Sequence, residues 1–436
     1  MRSGKGLIGS RIILIIVAFL IAISAFFTAN SGTAEEVEAT EKTEETEELW
    51  KNRQVLLSMG KTKETMYISW MGDEDGPRLL KYAEDKYSLP AVVPIRAEKI
   101  TLFGGEYYRY KVKLTELEAG KEYWYEIGDG VVYDSPVSFC VGENDDEDVF
   151  AYLGDPQFEF STKEYERWGA LVSKMEDSQP DLEFALMGGD MVNIPSRRNQ
   201  WSDFLDNCSS FSRLPVMTVP GNHEGVGSNN TYKKLFNHIG NGPDDEAFYW
   251  FDYGKCRFIM MDSSFLSGAR KLAMGRDVWE AKEKAVELWL AKALEAGTQT
   301  WNIVVIHHPV YGLHDLQTES PEIRSRWLPI MKDGGVDLVL SGHQHVYMRT
   351  QKIDGITHIM GVSGVRRSNY YKGINEPVYC ESIYSVGANY QVFKVTKKTI
   401  ELKSYNENGN IIDAAVIKKE LKFPYSRISW WRSHIR

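Results

Sequence analysis

The sequence predicts an α/β layered domain preceded by a smaller all-β sandwich. Residues 55–141 carry short β-branched and aromatic runs, separated by glycine-rich turn signals at the spacing of a sandwich. Past residue 148, apolar strand-like runs alternate with segments of helical period. Several of those runs end in Asp, Asn or His, where α/β sheets place their sites. At 436 residues the chain also exceeds one core of usual size.

The first 34 residues stand apart. Arg2, Lys5 and Arg11 precede an apolar run over residues 12–27, and Gly32-Thr-Ala34 offers small residues for cleavage. The pattern reads as a secretory signal or a membrane anchor, the run being slightly short for a span of about 20 residues. Both readings put the rest of the chain outside the cytoplasmic membrane, secreted or at the cell surface. Residues 35–49 are rich in Glu and Thr and read as a disordered acidic tether.

Within residues 50–143, strands are expected at Thr65-Met-Tyr-Ile-Ser-Trp70, over 107–114 and over 122–127, on β-branched and aromatic content with partial alternation. The acidic stretch from Glu143 to Asp148 reads as a hinge. In the second domain, residues 149–420, helices are expected over 161–176, 198–207 and 278–296. Val286, Trp289, Leu290 and Leu294 recur at helical spacing as a core-facing stripe. Runs over 390–395, 399–405 and 413–417 read as antiparallel strands closing the sheet. The tail, 421–436, mixes arginine with tryptophan; it reads as docked on the protein's own surface, with a membrane-surface contact as the alternative.

A net charge of −10 argues against a general nucleic-acid binder, since phosphate polyanions would be repelled. Cys140, Cys208, Cys256 and Cys380 lack Cys-x-x-Cys spacing, so they read as buried thiols or one or two structural bridges rather than a zinc or redox motif.

Five segments carry chemistry: Tyr152-Leu-Gly-Asp155-Pro-Gln157, Met187-Gly-Gly-Asp190, Pro220-Gly-Asn222-His223-Glu224, Val304-Val-Ile-His307-His308-Pro309 and Ser341-Gly-His343-Gln-His345. Carboxylate and amide oxygens together with imidazoles are the donors a two-metal hydrolytic site uses. Two ions about 3.5–4 Å apart can share one carboxylate. His343 and His345 lie two apart, so an extended segment turns both to one face. Glycines at 154, 188, 189, 221 and 342 permit tight turns and close backbone approach.

In this order, over roughly residues 50–420, the motifs resemble the purple acid phosphatase branch of the calcineurin-like metallophosphoesterases. Many members carry a fibronectin type III-like sandwich ahead of a metallophosphoesterase β-sandwich flanked by helices. The resemblance implies two metal ions, Fe, Mn or Zn. Asp155 and His345 would bind metal one; Asn222, His307 and His343 would bind metal two; Asp190 would bridge them. His307 is the ligand by register, two residues before the proline, and His308 is expected to face the other side of the strand. His223 would contact the phosphate and give a proton to the leaving oxygen, a task suited to an imidazole. His314, on the following loop, would line the substrate pocket or stand as an exposed loop residue.

Two positions depart from the family. Asn193 stands where the iron-binding tyrosine would, so the charge-transfer colour should be absent. Gln157 stands where the superfamily often has a histidine ligand. Gln157 or Asn193 would add a neutral oxygen to metal one or bind a water. The implied activity is hydrolysis of phosphate monoesters by in-line attack of a metal-bound hydroxide, with a phosphodiesterase or nucleotidase as alternatives. A surface adhesion protein with a residual metal site is the rival from another class.

Overall fold

The computed structural model describes residues 54–420, apart from 73–75, 77, 144–145, 159–161, 226–229, 237, 244–246, 315–318 and 365–374. The signal or anchor, the acidic tether and the basic aromatic tail therefore lie outside the described residues. No helix among the described residues is long and apolar enough to cross a membrane.

The N-terminal part is built from β1 (Leu56–Met59), β2 (Met66–Gly72), β3 (Arg78–Ala83), β4 (Ala91–Ile95), β5 (Glu98–Leu102), β6 (Gly105–Leu114), β7 (Glu122–Gly128) and β8 (Val137–Cys140). They form two four-stranded sheets, β1-β2-β6-β5 and β4-β3-β7-β8, with every pairing antiparallel. Alternation drives this. On β6, Tyr110, Val112 and Leu114 are buried while Lys111 and Lys113 are exposed, the signature of a sheet with one wet face. Trp70 stacks on Tyr110 at 5.2 Å between ring centroids.

The second part runs β9 (Asp148–Leu153), α1 (Thr162–Ser178), β10 (Phe184–Met187), α2 (Arg198–Asp206), β11 (Val216–Thr218), α3 (Asn230–Leu235), β12 (Tyr249–Tyr253), β13 (Cys256–Met261), α4 (Gly268–Met274), α5 (Arg276–Glu295), β14 (Trp301–Ile306), α6 (Glu319–Asp333), β15 (Leu338–Ser341), β16 (Tyr347–Thr350), β17 (Thr357–Met360), β18 (Cys380–Tyr384), β19 (Asn389–Val395), β20 (Thr399–Asn406) and β21 (Ile411–Lys418). One mixed sheet has six strands in the order β11-β10-β9-β19-β20-β21; the other has seven, β12-β13-β14-β15-β17-β16-β18. β9, β10 and β11 run parallel, as do β13, β14, β15 and β17. These parallel strands are nearly continuous apolar runs, because both faces are covered.

The two sheets share a core. Phe150 and Phe184 of the six-stranded sheet meet Phe258 of the seven-stranded one edge-on, at 5.1 and 5.4 Å. On the far side of the seven-stranded sheet, Trp279, Leu290, Ile323 and Trp327 of α5 and α6 bury Ile259, Val304 and Val339. In the expected stripe, Val286, Leu290 and Leu294 are buried, while the Trp289 indole donates to the Asn241 carbonyl at 2.8 Å.

The sandwich and the α/β part share one compact unit. The Met59 N–H reaches Met217 Sδ at 3.2 Å, Tyr125 donates its hydroxyl to the Ser212 carbonyl at 2.8 Å, and the Asp252 N–H donates to the Lys61 carbonyl at 2.8 Å. The hinge expected over 143–148 is corrected at its far end. Asp148 is buried at the start of β9, where its carboxylate accepts from Lys255 N at 2.9 Å and pairs with Lys255 Nζ at 3.3 Å. All four cysteines are free thiols, with Cys208 and Cys256 buried.

Candidate metal centre

Three adjacent parallel strands of the six-stranded sheet deliver oxygen donors: β9 leads to Asp155, β10 to Asp190 and β11 to Asn222. Two adjacent parallel strands of the seven-stranded sheet deliver imidazoles: β14 leads to His307, β15 to His343 and His345. The donors converge although Asp155 and His343 lie 188 residues apart in the chain.

Donor atoms of Asp190, His307 and His343 lie within 4.8 Å of one another, and so do those of Asp155, Asp190 and His345. Asp190 belongs to both groups. Its Oδ2 is 3.1 Å from His307 Nε2. Asn222 Oδ1 lies 3.0 Å from His307 Nε2 and 2.8 Å from His343 Nδ1. His345 Nε2 is 3.6 Å from Asp155 Oδ1.

The backbone is bent to reach this geometry. Asp155, Asp190, His343 and His345 all have positive φ, at 34°, 54°, 76° and 52°. For side-chain-bearing residues this region is costly and clusters at functional sites. Gly342 is required by close approach, since a Cβ there would stand 2.1 Å from Asp155 Oδ2. That approach lets the His343 N–H donate to both Asp155 oxygens, at 2.9 and 2.8 Å.

The donor set fits cations. Burial pushes the Asp155 carboxyl well above its ordinary range; His307 opposes this and the like charge of Asp190 adds to it. Burial by itself would lower the His307 imidazole, yet Asp190 beside it lifts it to about 10. A cation held by these groups would offset the like charge of Asp155 and Asp190. His307 Nδ1 faces the Gly188 carbonyl at 2.9 Å, so Nδ1 carries the proton that fixes the ring and Nε2 is the atom turned to the cluster.

Gln157 is buried, with Nε2 3.0 Å from Asp190 Oδ2 and 3.2 Å from His345 Nε2. Its Oε1 is buried without a hydrogen-bond partner among the described residues. Half a turn of the amide brings that oxygen into the cluster, where an ion would satisfy it. Asn193 contributes through its main chain: its carbonyl accepts from His223 Nδ1 at 2.6 Å. This leaves His223 Nε2 on the Asp190 side, 3.9 Å from Oδ2, with the side chain 25% exposed. The His314 loop is tethered by Gln344, the residue between the two histidines. Gln344 Nε2 donates to the His314 carbonyl at 2.9 Å and Gln344 Oε1 accepts from Leu313 N at 2.7 Å.

His308 does not face away. Its ring lies 4.4 Å from the His343 ring, and its Nδ1 is 3.0 Å from Ser263 Oγ. β14 ends at Ile306, so strand alternation no longer governs the residues after it. Glu224 has a role that its place in the motif did not reveal. Its buried carboxylate accepts from the main-chain N–H groups of Asp190 and Gly221, at 2.8 and 2.9 Å, and of Met191 and Val192, at 2.9 and 3.2 Å. One side chain thus ties the Asp190 loop to the Asn222 loop. The only available sequence signal was a carboxylate directly following Asn-His in a glycine-flanked turn.

Residues 149–347 match the calcineurin-like phosphoesterase family and residues 52–140 match the purple acid phosphatase N-terminal domain. An uncharacterized protein of Mycobacterium tuberculosis is 28% identical over 188 residues, 39% of this chain and 35% of the relative. The chain thus matches about a third of the length of that relative. Purple acid phosphatase 18 of Arabidopsis thaliana is 22% identical over 394 residues, covering 83% of each chain. A purple acid phosphatase from yellow lupin, Lupinus luteus, shares the fold with a TM-score of 0.66 at 16% identity, covering 84% of this chain and 74% of the lupin chain. With a purple acid phosphatase N-terminal domain set directly ahead of a calcineurin-like phosphoesterase domain, the chain belongs to the purple acid phosphatase-like branch of the calcineurin-like metallophosphoesterases.

Proposed function

We propose that this protein is an exported phosphoesterase that hydrolyses phosphate monoesters with two metal ions held by the convergent donors. The observation that carries this reading is the membership of Asp190 in both donor groups. A carboxylate shared in this way can hold two ions at the separation hydrolytic pairs use. In this reading Asp155, Asp190 and His345 hold one ion, joined by Gln157, and Asp190, Asn222, His307 and His343 hold the other. Bound ions would neutralise phosphate charge and acidify a water for attack on phosphorus.

The chain's own groups do the rest. The Gly188 carbonyl orients His307, and the His343 N–H groups Asp155 against the second sheet. Glu224 keeps the Asp190 and Asn222 loops in register. His223, oriented through Nδ1 by the Asn193 carbonyl, presents Nε2 to the centre and gives a proton to the leaving oxygen. His314, on the loop that Gln344 tethers, lines the approach to the phosphate. Export rests on the basic and apolar pattern of residues 1–34.

The test is hydrolysis of a chromogenic phosphate monoester and its diester analogue by chain stripped of metal, then given Mn, Zn or Fe(II). Turnover restored by metal and lowered at least about 10²-fold in Asp190→Ala is the expected result. Failure of the chain to bind metal would sink the reading. Faster diester turnover would move the assignment to a phosphodiesterase.

A further inference from the structure

His223 sits where two segments meet: its own loop, which precedes α3 in the chain, and the Asn193 loop, which continues into α2. Both are held from outside the α/β part by one hairpin of the N-terminal sandwich. The hairpin joins β5 to β6 through Phe103 and Gly104, both at positive φ, 51° and 78°. This is the geometry of a tight two-residue turn, which matches the twist of its strands.

The first hold is on α3. Arg109 of β6 is 13% exposed and pairs with Glu98 of β5 at 2.7 Å. Its Nη1 donates to the Lys233 and Lys234 carbonyls, at 3.2 and 3.4 Å. Carbonyls of the last helical turn have no intrahelical donor, and a guanidinium there meets both that need and the helix dipole. Lys234 Nζ reciprocates by donating to the Thr101 carbonyl at 2.7 Å. From α3, the Tyr232 hydroxyl reaches Thr218 at the end of β11, 2.9 Å from its carbonyl and 2.8 Å from Oγ1. Thr218 stands four residues before Asn222.

The second hold is on α2. The Arg198 guanidinium lies 5.1 Å from the Tyr107 ring centroid. Arg198 opens α2, five residues after Asn193, whose carbonyl orients His223. Trp201 of α2 and Phe236, just after α3, meet at 6.3 Å and close the frame.

We propose that this hairpin is a positioning element for His223, with Arg109 and Tyr107 as positioning residues for departure of the leaving group. The inference rests on the role proposed for His223 above. It assigns the sandwich a part in the reaction of the neighbouring domain.

The test uses the full chain, metal-restored, and compares an alkyl phosphate with 4-nitrophenyl phosphate. The alkyl oxygen is a poor leaving group and needs a proton; 4-nitrophenolate hardly does. His223→Ala should therefore lose much more kcat on the alkyl ester. Arg109→Gln and Tyr107→Leu should show the same bias more weakly, about 10-fold, as expected for a misaligned rather than absent group. Added to His223→Ala, either substitution should produce no further bias. Arg109→Lys, which keeps the charge but not the fork, should lie between Arg109 and Gln. In metal-free chain, Arg109→Gln should speed amide hydrogen exchange over residues 221–235.

An equal loss on both esters, or an undiminished bias in the His223→Ala background, would overturn the proposal. If Arg109→Gln fails to fold, Tyr107→Leu alone decides, because it leaves the Arg109 network intact. No bias in His223→Ala overturns the role of His223 itself; bias there but in neither hairpin variant overturns only the bracing.

Discussion

The two sheets that meet at the centre bring different chemistry by different routes. The six-stranded sheet presents two carboxylates and an amide, one from each of three neighbouring parallel strands. The seven-stranded sheet presents three imidazoles from two neighbouring strands, two of them on one turn after β15. The two carboxylates carry the negative charge, and each oxygen donor stands after its own strand, in loops that also hold Glu224 and Gln157. The imidazoles crowd on the other side, with His307 Nε2 and His343 Nδ1 only 3.2 Å apart. In the proposed assignment Asp190 would be shared by both ions, and the imidazoles would distinguish one ion from the other.

Metal content gives the largest contrast. Removing Asp190 should cost both ions, because both groups share it. His343→Ala and His345→Ala should each cost one, leaving about one ion per chain. Elemental analysis of purified, metal-restored protein reads this directly. Retention of two ions in His343→Ala would break the proposed division between the sheets.

Glu224→Gln sharpens the comparison within the oxygen-donor side. It keeps the shape but turns an NH2 group toward main-chain N–H donors that now share four hydrogen bonds with the carboxylate. Stability should fall by roughly 1–3 kcal/mol, the cost of leaving a buried donor unmet. kcat should fall more than KM rises, since the Asp190 and Asn222 loops lose their common tie. Thermal unfolding beside steady-state kinetics checks both, and an unchanged midpoint would refute the tie.

The smallest effect on activity is expected at the other end of β10. Glu183 precedes that strand and accepts from Val149 N at 2.8 Å. Burial pushes its carboxyl up to about 7 from 4.5, with the nearby Asp148 adding to the shift. A raised carboxyl binds its proton more tightly in the folded chain. Its contribution is therefore complete below about pH 4.5 and is lost as pH rises through about 7. The shift corresponds to up to about 3 kcal/mol. Glu183→Gln should flatten stability between pH 5 and 8 relative to the parent while kcat is unchanged. Denaturant midpoints at several pH values measure it; parallel curves for parent and variant would refute it.

Much of this was legible in the chain. The strands around Tyr110 and Phe393 and the α5 stripe follow from alternation and helical period, which are local properties of hydrophobic patterning. The candidate donors were legible as candidates too, since Asp, Asn and His after apolar runs are rare in combination and stand at strand ends; the structure adds that they converge. Asp148 and His308 depart from the sequence expectation for the same reason. The sequence shows each only beside its neighbours, a charge run for one and strand alternation for the other. Their surroundings come from elsewhere: Lys255 for Asp148, Ser263 and His343 for His308.

By itself the sequence determined which atoms are offered and in what order along the chain. A residue's type and its place after a strand do not depend on distant partners. Only the tertiary structure decided that the carboxyl ends of β9, β10 and β11 face those of β14 and β15. It likewise decided that Glu224 joins two loops and that a hairpin of the sandwich reaches α2 and α3. Those outcomes depend on how two sheets and a neighbouring sandwich pack, and packing is selected by the whole buried surface rather than by any one segment.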